Sequence, residues 1–268
     1  MNIYFNPLKN IFISIFFSLI TCSFSVAEEQ NYPIRRDWAS RQHYVDSNTA
    51  IKKTGERPAV VFFGDSITAN WAKSDKEIFR KGWINRGISG QTTSQMLLRF
   101  RQDVVDLRPF IVHIMAGTND VAGNTGAGTR QNTIDNIQSM VDLAVANGIK
   151  VVLGSIPPSS GFRWKPNVQG SANRIADLNG WLKSYTESKQ IAYADYWSSL
   201  SDQSGGMRTD LSSDGTHPNR YGYELMRPIA EDAIAALSRE CFQYNLWPSP
   251  SACPSGRGGD NSSSRRCG

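Results

Sequence analysis

Short, continuous apolar runs recur along this chain, and each run is bounded by turn residues. The clearest is Ala59–Phe63, and similar runs lie at 83–88, 110–115, 149–153 and 191–195. A run that is apolar at successive positions is typical of a strand buried on both faces of a parallel sheet. The pattern therefore predicts five parallel strands.

Stretches with helical periodicity separate these runs, at 92–107, 129–147, 173–189 and 221–237. In the first stretch, Met96, Phe100 and Val104 recur every four residues, as one buried helix face requires. Strands that alternate with helices predict an α/β fold. Because right-handed crossovers send the carboxyl ends of parallel strands to one edge of the sheet, we expect polar residues that follow the strands to meet there.

The N-terminus has the pattern of a secretion signal. Lys9 precedes an apolar run at 11–20 that is too short to cross a bilayer as a mature anchor, and small residues stand at 25–27. We therefore expect residues 1–27 to be a signal peptide and the mature protein to be periplasmic or secreted, with no stable membrane span. A lipoprotein anchor at Cys22 is the less favoured alternative, because Thr21 is bulky for the position before a lipidated cysteine.

The composition changes again near the C-terminus. Residues 28–238 are predicted to form one catalytic domain, whereas 239–268 are rich in Pro, Gly and Ser and lack apolar periodicity, which predicts a flexible tail. This tail contains Cys241, Cys253 and Cys267. Export would place them in an oxidising compartment, but three cysteines leave open whether any two form a disulfide.

Charge and glycine content exclude two classes of partner. Part of the net charge of +5 lies in the leader and the tail, so the domain itself is close to balanced and no nucleic-acid partner is expected. The glycine-rich segment 123–128 follows a predicted strand, but Thr129 stands where a phosphate-binding loop would need lysine. The chain contains no Gly-x-Gly-x-x-Gly, so nucleotide binding is not expected.

Ser66 follows the first predicted strand and is a candidate nucleophile. A serine that attacks a carbonyl needs a base to take its proton and donors that stabilise the oxyanion. Asp65 and Ser66 are also common residues at the start of a helix, so a purely structural capping role is the alternative for this pair.

Asp214 and His217 are the candidate acid and base. They lie three residues apart in a segment where glycine and proline disfavour regular helix, so a tight turn can bring the carboxylate to one imidazole nitrogen while the other faces Ser66. An Asx-type turn with a solvated histidine is the alternative. Of the other histidines, His113 lies within an apolar strand and is expected in the core, and His43 is expected to be solvated.

Asn119 and Gly90 are candidate donors to an oxyanion. Asn119 follows the third predicted strand and has a side-chain amide that can donate a hydrogen bond. Gly90 stands just ahead of a helix, where a backbone N–H would point towards incoming negative charge. The alternative for each is a turn residue, chosen for its backbone freedom.

In combination, these segments resemble the SGNH hydrolases of the GDSL esterase and lipase superfamily. The resemblance covers about residues 57–238 and rests on Gly64-Asp65-Ser66, Gly90, Asn119, and Asp214 with His217. It implies a flavodoxin-like three-layer α/β/α sandwich with a five-stranded parallel sheet. It also implies ester hydrolysis through an acyl-serine, with Ser66, His217 and Asp214 as catalytic residues, Gly90 and Asn119 at the oxyanion, and no metal or cofactor.

The sequence constrains the substrate less than it constrains the type of reaction. The segment 157–167 contains Trp164, and Trp71 follows the nucleophile, so either indole is a candidate platform for a sugar. We expect a small ester or acylated carbohydrate as substrate, with removal of short acyl groups such as acetyl. Lipolysis of the lysophospholipase or thioesterase type and glycan binding without catalysis are the alternatives.

Overall fold

The central sheet has five parallel strands, as predicted. The computed structural model describes residues 37–79 and 82–243. Its strands are β1 (Val60–Gly64), β2 (Trp83–Gly87), β3 (Ile111–Met115), β4 (Lys150–Gly154) and β5 (Ala192–Ala194). Their order across the sheet is β2-β1-β3-β4-β5, and all neighbours are parallel. Each strand boundary lies within one residue of the predicted run.

Eight α-helices connect or flank the strands in the described part of the chain. They are α1 (Val45–Thr54), α2 (Ser66–Ser74), α3 (Thr93–Asp103), α4 (Thr118–Val121), α5 (Arg130–Ala146), α6 (Ser171–Lys189), α7 (Tyr196–Leu200) and α8 (Arg220–Gln243), with 3₁₀ turns at Glu77–Phe79 and Val105–Leu107. Helical periodicity predicted α3, α5, α6 and α8. The predicted helix at 92–107 breaks at Val104 into α3 and a 3₁₀ turn.

Helices cover both faces of the sheet, which explains why β1 is apolar at successive positions. Val61 and Phe63 belong to the apolar cluster that includes residues of α3, α5 and α6. Val60 and Phe62 belong to the opposite cluster, with residues of α2 and α8. Because side chains alternate along a strand, both faces of β1 are buried. The predicted flavodoxin-like three-layer sandwich is therefore confirmed.

Several predictions concern residues outside the described part of the chain. These are the signal peptide at 1–27, the anchor at Cys22, and most of the 239–268 tail with Cys253 and Cys267. α8 extends to Gln243, beyond its predicted end at Leu237 and into the segment predicted as tail. Within the described residues, no helix has both the length and the apolar character needed to cross a membrane.

Candidate active site

Ser66 is the first residue of α2, immediately after β1. A Cβ at Gly64 would lie 2.7 Å from the Met115 carbonyl oxygen, so only glycine allows this close approach between β1 and β3. The Asp65 carboxylate accepts a hydrogen bond from the Ile67 N–H at 2.9 Å and caps the helix. The capping role considered for Asp65 is therefore correct, and it places Ser66 at the carboxyl edge of the sheet.

A tight turn before α8 positions Asp214 and His217. Gly215 has φ +78°, a left-handed conformation that suits glycine. Asp214 Oδ1 accepts hydrogen bonds from the Thr216 and His217 N–H groups at 2.9 and 2.8 Å, while Oδ2 lies 2.7 Å from His217 Nδ1. The Asx turn and the carboxylate–imidazole contact, which the sequence offered as alternatives, therefore coexist.

The structure brings Ser66 and His217 together across 151 residues of sequence. Ser66 Oγ lies 2.9 Å from His217 Nε2. The ring thus connects the serine hydroxyl on one side with the Asp214 carboxylate on the other. This order of hydroxyl, imidazole and carboxylate can transfer a proton from the serine as its oxygen attacks a carbonyl.

The carboxylate of Asp214 determines which ring nitrogen carries the proton. Partial burial raises its pKa, but hydrogen bonds from the His217 side chain and from two backbone N–H groups outweigh burial and lower the pKa to about 2. An ionised carboxylate only accepts hydrogen bonds, so the neutral ring donates from Nδ1. Nε2 is then free to accept the Ser66 proton.

Asn119 lies beside the serine but is already engaged. It follows β3 as the second residue of α4, and only 2% of its surface is exposed. Its Nδ2 lies 3.0 Å from the Gln91 carbonyl oxygen and 3.2 Å from Asp65 Oδ2. Both amide hydrogens therefore have acceptors, and donation to an oxyanion requires one hydrogen to be shared.

Gly90 lines the same cleft, in the loop between β2 and α3. No acceptor for its N–H is found in residues 37–79 or 82–243, so this donor is available to an incoming oxygen.

Behind Asn119, burial raises the pKa of the Asp65 carboxyl to about 6, although the hydrogen bond from the Ile67 N–H opposes the shift.

The cleft above the serine is small, and most of the residues that line it have polar side chains. It has a volume of about 280 Å³ and is lined by Ser66, Asn70, Ser89, Gly90, Asn119, Asn124, Trp164 and His217. None of these described residues has an aliphatic side chain. Trp164 is 39% exposed and lies with its ring 5.7 Å from that of His217, so the expectation that it walls the site agrees with its position.

The suggested role of Trp71 as a sugar platform is wrong. Its side chain is fully buried and packs against Phe62, Tyr196 and Tyr223 in the core. Ile67 lies four residues earlier on the same buried face of α2, and this helical spacing was a signal for core packing.

Three residues near the site were not identified from the sequence. Asn70 stands four residues after Ser66 on α2, and this spacing on one helix face could have revealed it. Asn124 belongs to the glycine-rich segment and reaches the cleft through contacts with distant residues. Arg99 is fully buried, which its charge argued against.

Arg99 supports the segments that carry the candidate residues. Its guanidinium donates to the Gly64 carbonyl at 2.9 Å, the Gln91 side chain at 2.5 Å and the Asp103 carboxylate at 3.0 Å. These bonds connect the end of β1 with the loop that contains Gly90. Because the ion pair is buried, removal of the arginine would leave the Asp103 charge without its partner.

The titratable side chains in the described part of the chain form no candidate metal site. Within residues 37–79 and 82–243, no three His, Cys, Asp or Glu side chains converge as a metal site would require. His43 is exposed in the turns before α1, and His113 is buried in β3, as expected for both.

Comparison with known proteins gives one family. The model of the GDSL-like lipase/acylhydrolase family matches residues 62–225, which include Ser66, Gly90, Asn119, Asp214 and His217. A solved acylhydrolase-type protein from Bacteroides fragilis NCTC 9343 is 40% identical with a TM-score of 0.71, and the match covers 75% of this chain and 98% of that chain.

Two curated proteins are also similar. The uncharacterised lipoprotein YqeF of Bacillus subtilis (strain 168) is 30% identical over an alignment of 184 residues that covers 56% of this chain and 75% of YqeF. A multidomain esterase of Ruminococcus flavefaciens is 30% identical over 118 residues, which are 44% of this chain and 14% of that much longer protein.

Proposed function

The chain belongs to the GDSL-like lipase/acylhydrolase family and is a carboxylic ester hydrolase, and on this premise we propose that Ser66 is its nucleophile, His217 its base and Asp214 the acid that orients the base. The observation that carries this proposal is the pair of contacts at His217, 2.9 Å to Ser66 Oγ and 2.7 Å to Asp214 Oδ2. The cleft that opens above them gives an ester access to the serine.

In the first half of the reaction, His217 Nε2 takes the proton of Ser66 as Oγ attacks the ester carbonyl. The Gly90 N–H and the Asn119 amide stabilise the oxyanion, with Asn119 sharing a hydrogen that now faces Gln91 or Asp65. His217 then returns the proton to the departing alcohol, which leaves an acyl-serine. Water, deprotonated by the same imidazole, attacks the acyl-serine, and His217 returns this proton to the departing Ser66 Oγ as the acid is released.

We propose short acyl groups on a carbohydrate, with acetyl foremost, as the substrate. A long acyl chain gains binding energy mainly from apolar contacts. The described residues that line the cleft instead offer serine, asparagine and glycine, with Trp164 as the one large apolar surface. Amide side chains and an indole suit the hydroxyls and C–H faces of a sugar better than they suit a fatty acid.

We also propose that the protein is exported, as the leader at 1–27 predicts. The similarity to YqeF, which is called a lipoprotein, favours export without distinguishing the periplasm from secretion. N-terminal sequencing of the protein from an expressing cell tests the leader. A start at Glu28 agrees with the predicted cleavage, and a lipidated Cys22 identifies the alternative anchor.

A chain-length series tests the substrate. Purified protein is assayed with p-nitrophenyl esters from acetate to laurate and with acetylated xylo-oligosaccharides, beside Ser66→Ala and the control Ser139→Ala, which changes a half-buried serine on α5 that does not line the cleft. We expect highest kcat/KM for acetate, release of acetate from the oligosaccharide, and loss of both in Ser66→Ala alone. An optimum at long chains would favour the lipolytic alternative. A folded protein that hydrolyses no ester would favour glycan binding.

A further inference from the structure

The side chain of Asn124 contacts three residues that line the cleft. Its Nδ2 donates to Asn119 Oδ1 at 2.7 Å and to the Gly90 carbonyl oxygen at 3.0 Å. Its Oδ1 accepts from Trp164 Nε1 at 2.9 Å. One amide therefore joins both candidate oxyanion donors to the aromatic wall of the site.

These contacts fix the orientation of the Asn119 amide. Asn119 Oδ1 faces Asn124, and Nδ2 faces the acceptors on Gln91 and Asp65. If the amide turned over, its oxygen would face two acceptors and its nitrogen would face the Asn124 donor. Because Asn119 is almost fully buried, such mismatched groups would be costly.

The Asn124 side chain is not needed to close its own loop. The backbone does this already: Asn124 N donates to the Asn119 carbonyl at 3.0 Å, and Gly126 N donates to the Gly123 carbonyl at 3.2 Å. Two of the three side-chain bonds instead reach away from the local turn, to the loop after β2 and to the segment after β4, and the third goes to the Asn119 side chain. Their placement suits a role in the site better than a role in the turn.

We propose that Asn124 is a positioning residue that holds the Asn119 amide and the Gly90 peptide where the oxyanion forms and connects them to Trp164. The inference rests on the proposed serine-esterase function. Asn124 acts through its neighbours, because its two amide hydrogens and its oxygen are already bonded to them. A substrate that packs on Trp164 therefore contacts a side chain that is connected to the oxyanion donors through Asn124.

Asn124→Asp tests this role with little change in shape. A carboxylate can still accept from the Trp164 N–H, but it repels Asn119 Oδ1 and the Gly90 carbonyl oxygen. We expect kcat for p-nitrophenyl acetate to fall by about 10- to 100-fold while KM changes less than about threefold. Thr125→Ala, a change at the next residue of the loop, should leave both constants near wild type. Trp164→Phe keeps a ring but removes the N–H, and should lower kcat less than Asn124→Asp.

A double-mutant cycle with Asn119→Ala tests whether Asn124 acts through Asn119. We expect Asn124→Asp to lower kcat at least about threefold less in the Asn119→Ala background than in the wild type, because the amide that it positions is gone. Equal losses in both backgrounds would overturn the proposal. If Asn124→Asp does not fold, as judged by circular dichroism and thermal midpoint, Asn124→Ala is used in the same cycle.

The two proposals fail in different ways. If wild type hydrolyses esters and Ser66→Ala does not, but the Asn124 variant keeps the wild-type kcat, the positioning role is wrong and the esterase function stands. A KM increase with unchanged kcat would likewise contradict positioning, since it would indicate a substrate contact. If folded wild type hydrolyses no ester, the esterase function fails and the inference fails with it.

Discussion

Two histidine–hydroxyl pairs lie in the described part of this molecule, and they differ in burial and in the partner of the second ring nitrogen. His217 Nε2 lies 2.9 Å from Ser66 Oγ, and His113 Nε2 lies 2.8 Å from the Tyr196 hydroxyl. The first pair stands at the carboxyl edge of the sheet and opens into the cleft. The second is fully buried, in the middle of β3 and against α7.

The second ring nitrogen distinguishes the pairs further. His217 Nδ1 has the Asp214 carboxylate at 2.7 Å, whereas no partner for His113 Nδ1 is found in the described residues. Burial lowers the pKa of His113 to about 3, so this ring stays neutral. A hydroxyl next to an imidazole is therefore not a sufficient sign of a nucleophile. The carboxylate and access to the cleft are what suit the Ser66 pair to catalysis.

The largest effect should follow a change at the pair that opens into the cleft. His217→Gln removes the base, and we expect kcat for p-nitrophenyl acetate to fall by about 10⁵- to 10⁶-fold with the fold intact. His113→Gln is the matched control, and its kcat should stay within about threefold of wild type. Steady-state kinetics beside circular dichroism makes the comparison, and a larger loss in His113→Gln than in His217→Gln would invert our assignment.

The next effect isolates the carboxylate. Asp214→Asn keeps an oxygen for the Thr216 and His217 N–H groups but places an amide donor where Nδ1 needs an acceptor. The ring would then carry its proton on Nε2, towards Ser66, and could not accept from the serine. We expect kcat to fall by about 10⁴-fold. A loss of less than about tenfold would mean that the turn, rather than the carboxylate, orients His217.

A change at the buried pair should alter the free energy of unfolding rather than the catalytic rate. The folded pKa of His113 is about 3, below its ordinary value of 6.5, so the unfolded chain binds a proton between these pH values and the folded protein does not. The free energy of unfolding therefore falls as pH drops from about 6.5 towards 3, with a slope of up to about 1.4 kcal/mol per pH unit. The stability that comes from keeping this histidine neutral is fully present above about pH 6.5.

Urea unfolding of wild type and His113→Gln at pH 4 and pH 7 measures this effect. Glutamine does not titrate, so the destabilisation caused by the substitution should be larger at pH 7 than at pH 4. The difference isolates His113 from other groups, such as Asp65, whose raised pKa gives a slope of opposite sign between about 4 and 6. Equal destabilisation at both pH values would show that His113 is not held neutral by burial.

The smallest effect concerns the rim of the cleft. Asn70 lines the cleft one helical turn after Ser66, and within the described residues its side chain has no hydrogen-bond partner. If it binds the sugar, Asn70→Ala should raise KM for an acetylated xylo-oligosaccharide about fivefold, as the loss of one hydrogen bond would. KM for p-nitrophenyl acetate should barely change. Equal changes for both substrates would place the contact on the acyl group instead.

The sequence predicted the sheet because the physical constraint on it is local. A strand buried on both faces is apolar at successive positions, and β1 meets that condition throughout, β3 except at His113, and β4 after Lys150. The turn at 214–217 was also predictable, because Asp214 and His217 are close in sequence. Trp71 was misjudged when its distance from Ser66 was considered without the helical spacing from Ile67.

Other features depend on distant contacts that no local pattern reveals. Asn124 is bonded to residues 34 and 40 positions away, so its sequence context shows only a glycine-rich loop. Arg99 is buried because carbonyl oxygens from separate segments and Asp103 surround its guanidinium. A charged residue beside the apolar positions of a helix is more often exposed, so its burial follows from the assembled fold alone.

Labelling with a fluorophosphonate tests the central claim most directly, since the probe forms a covalent bond with a serine activated by a neighbouring base. Intact-mass analysis and peptide mapping of folded protein should find one adduct, on Ser66, formed rapidly in wild type and in His113→Gln and very slowly in His217→Gln. Folded wild-type protein that stays unlabelled, or that carries its adduct on another residue, would contradict the account.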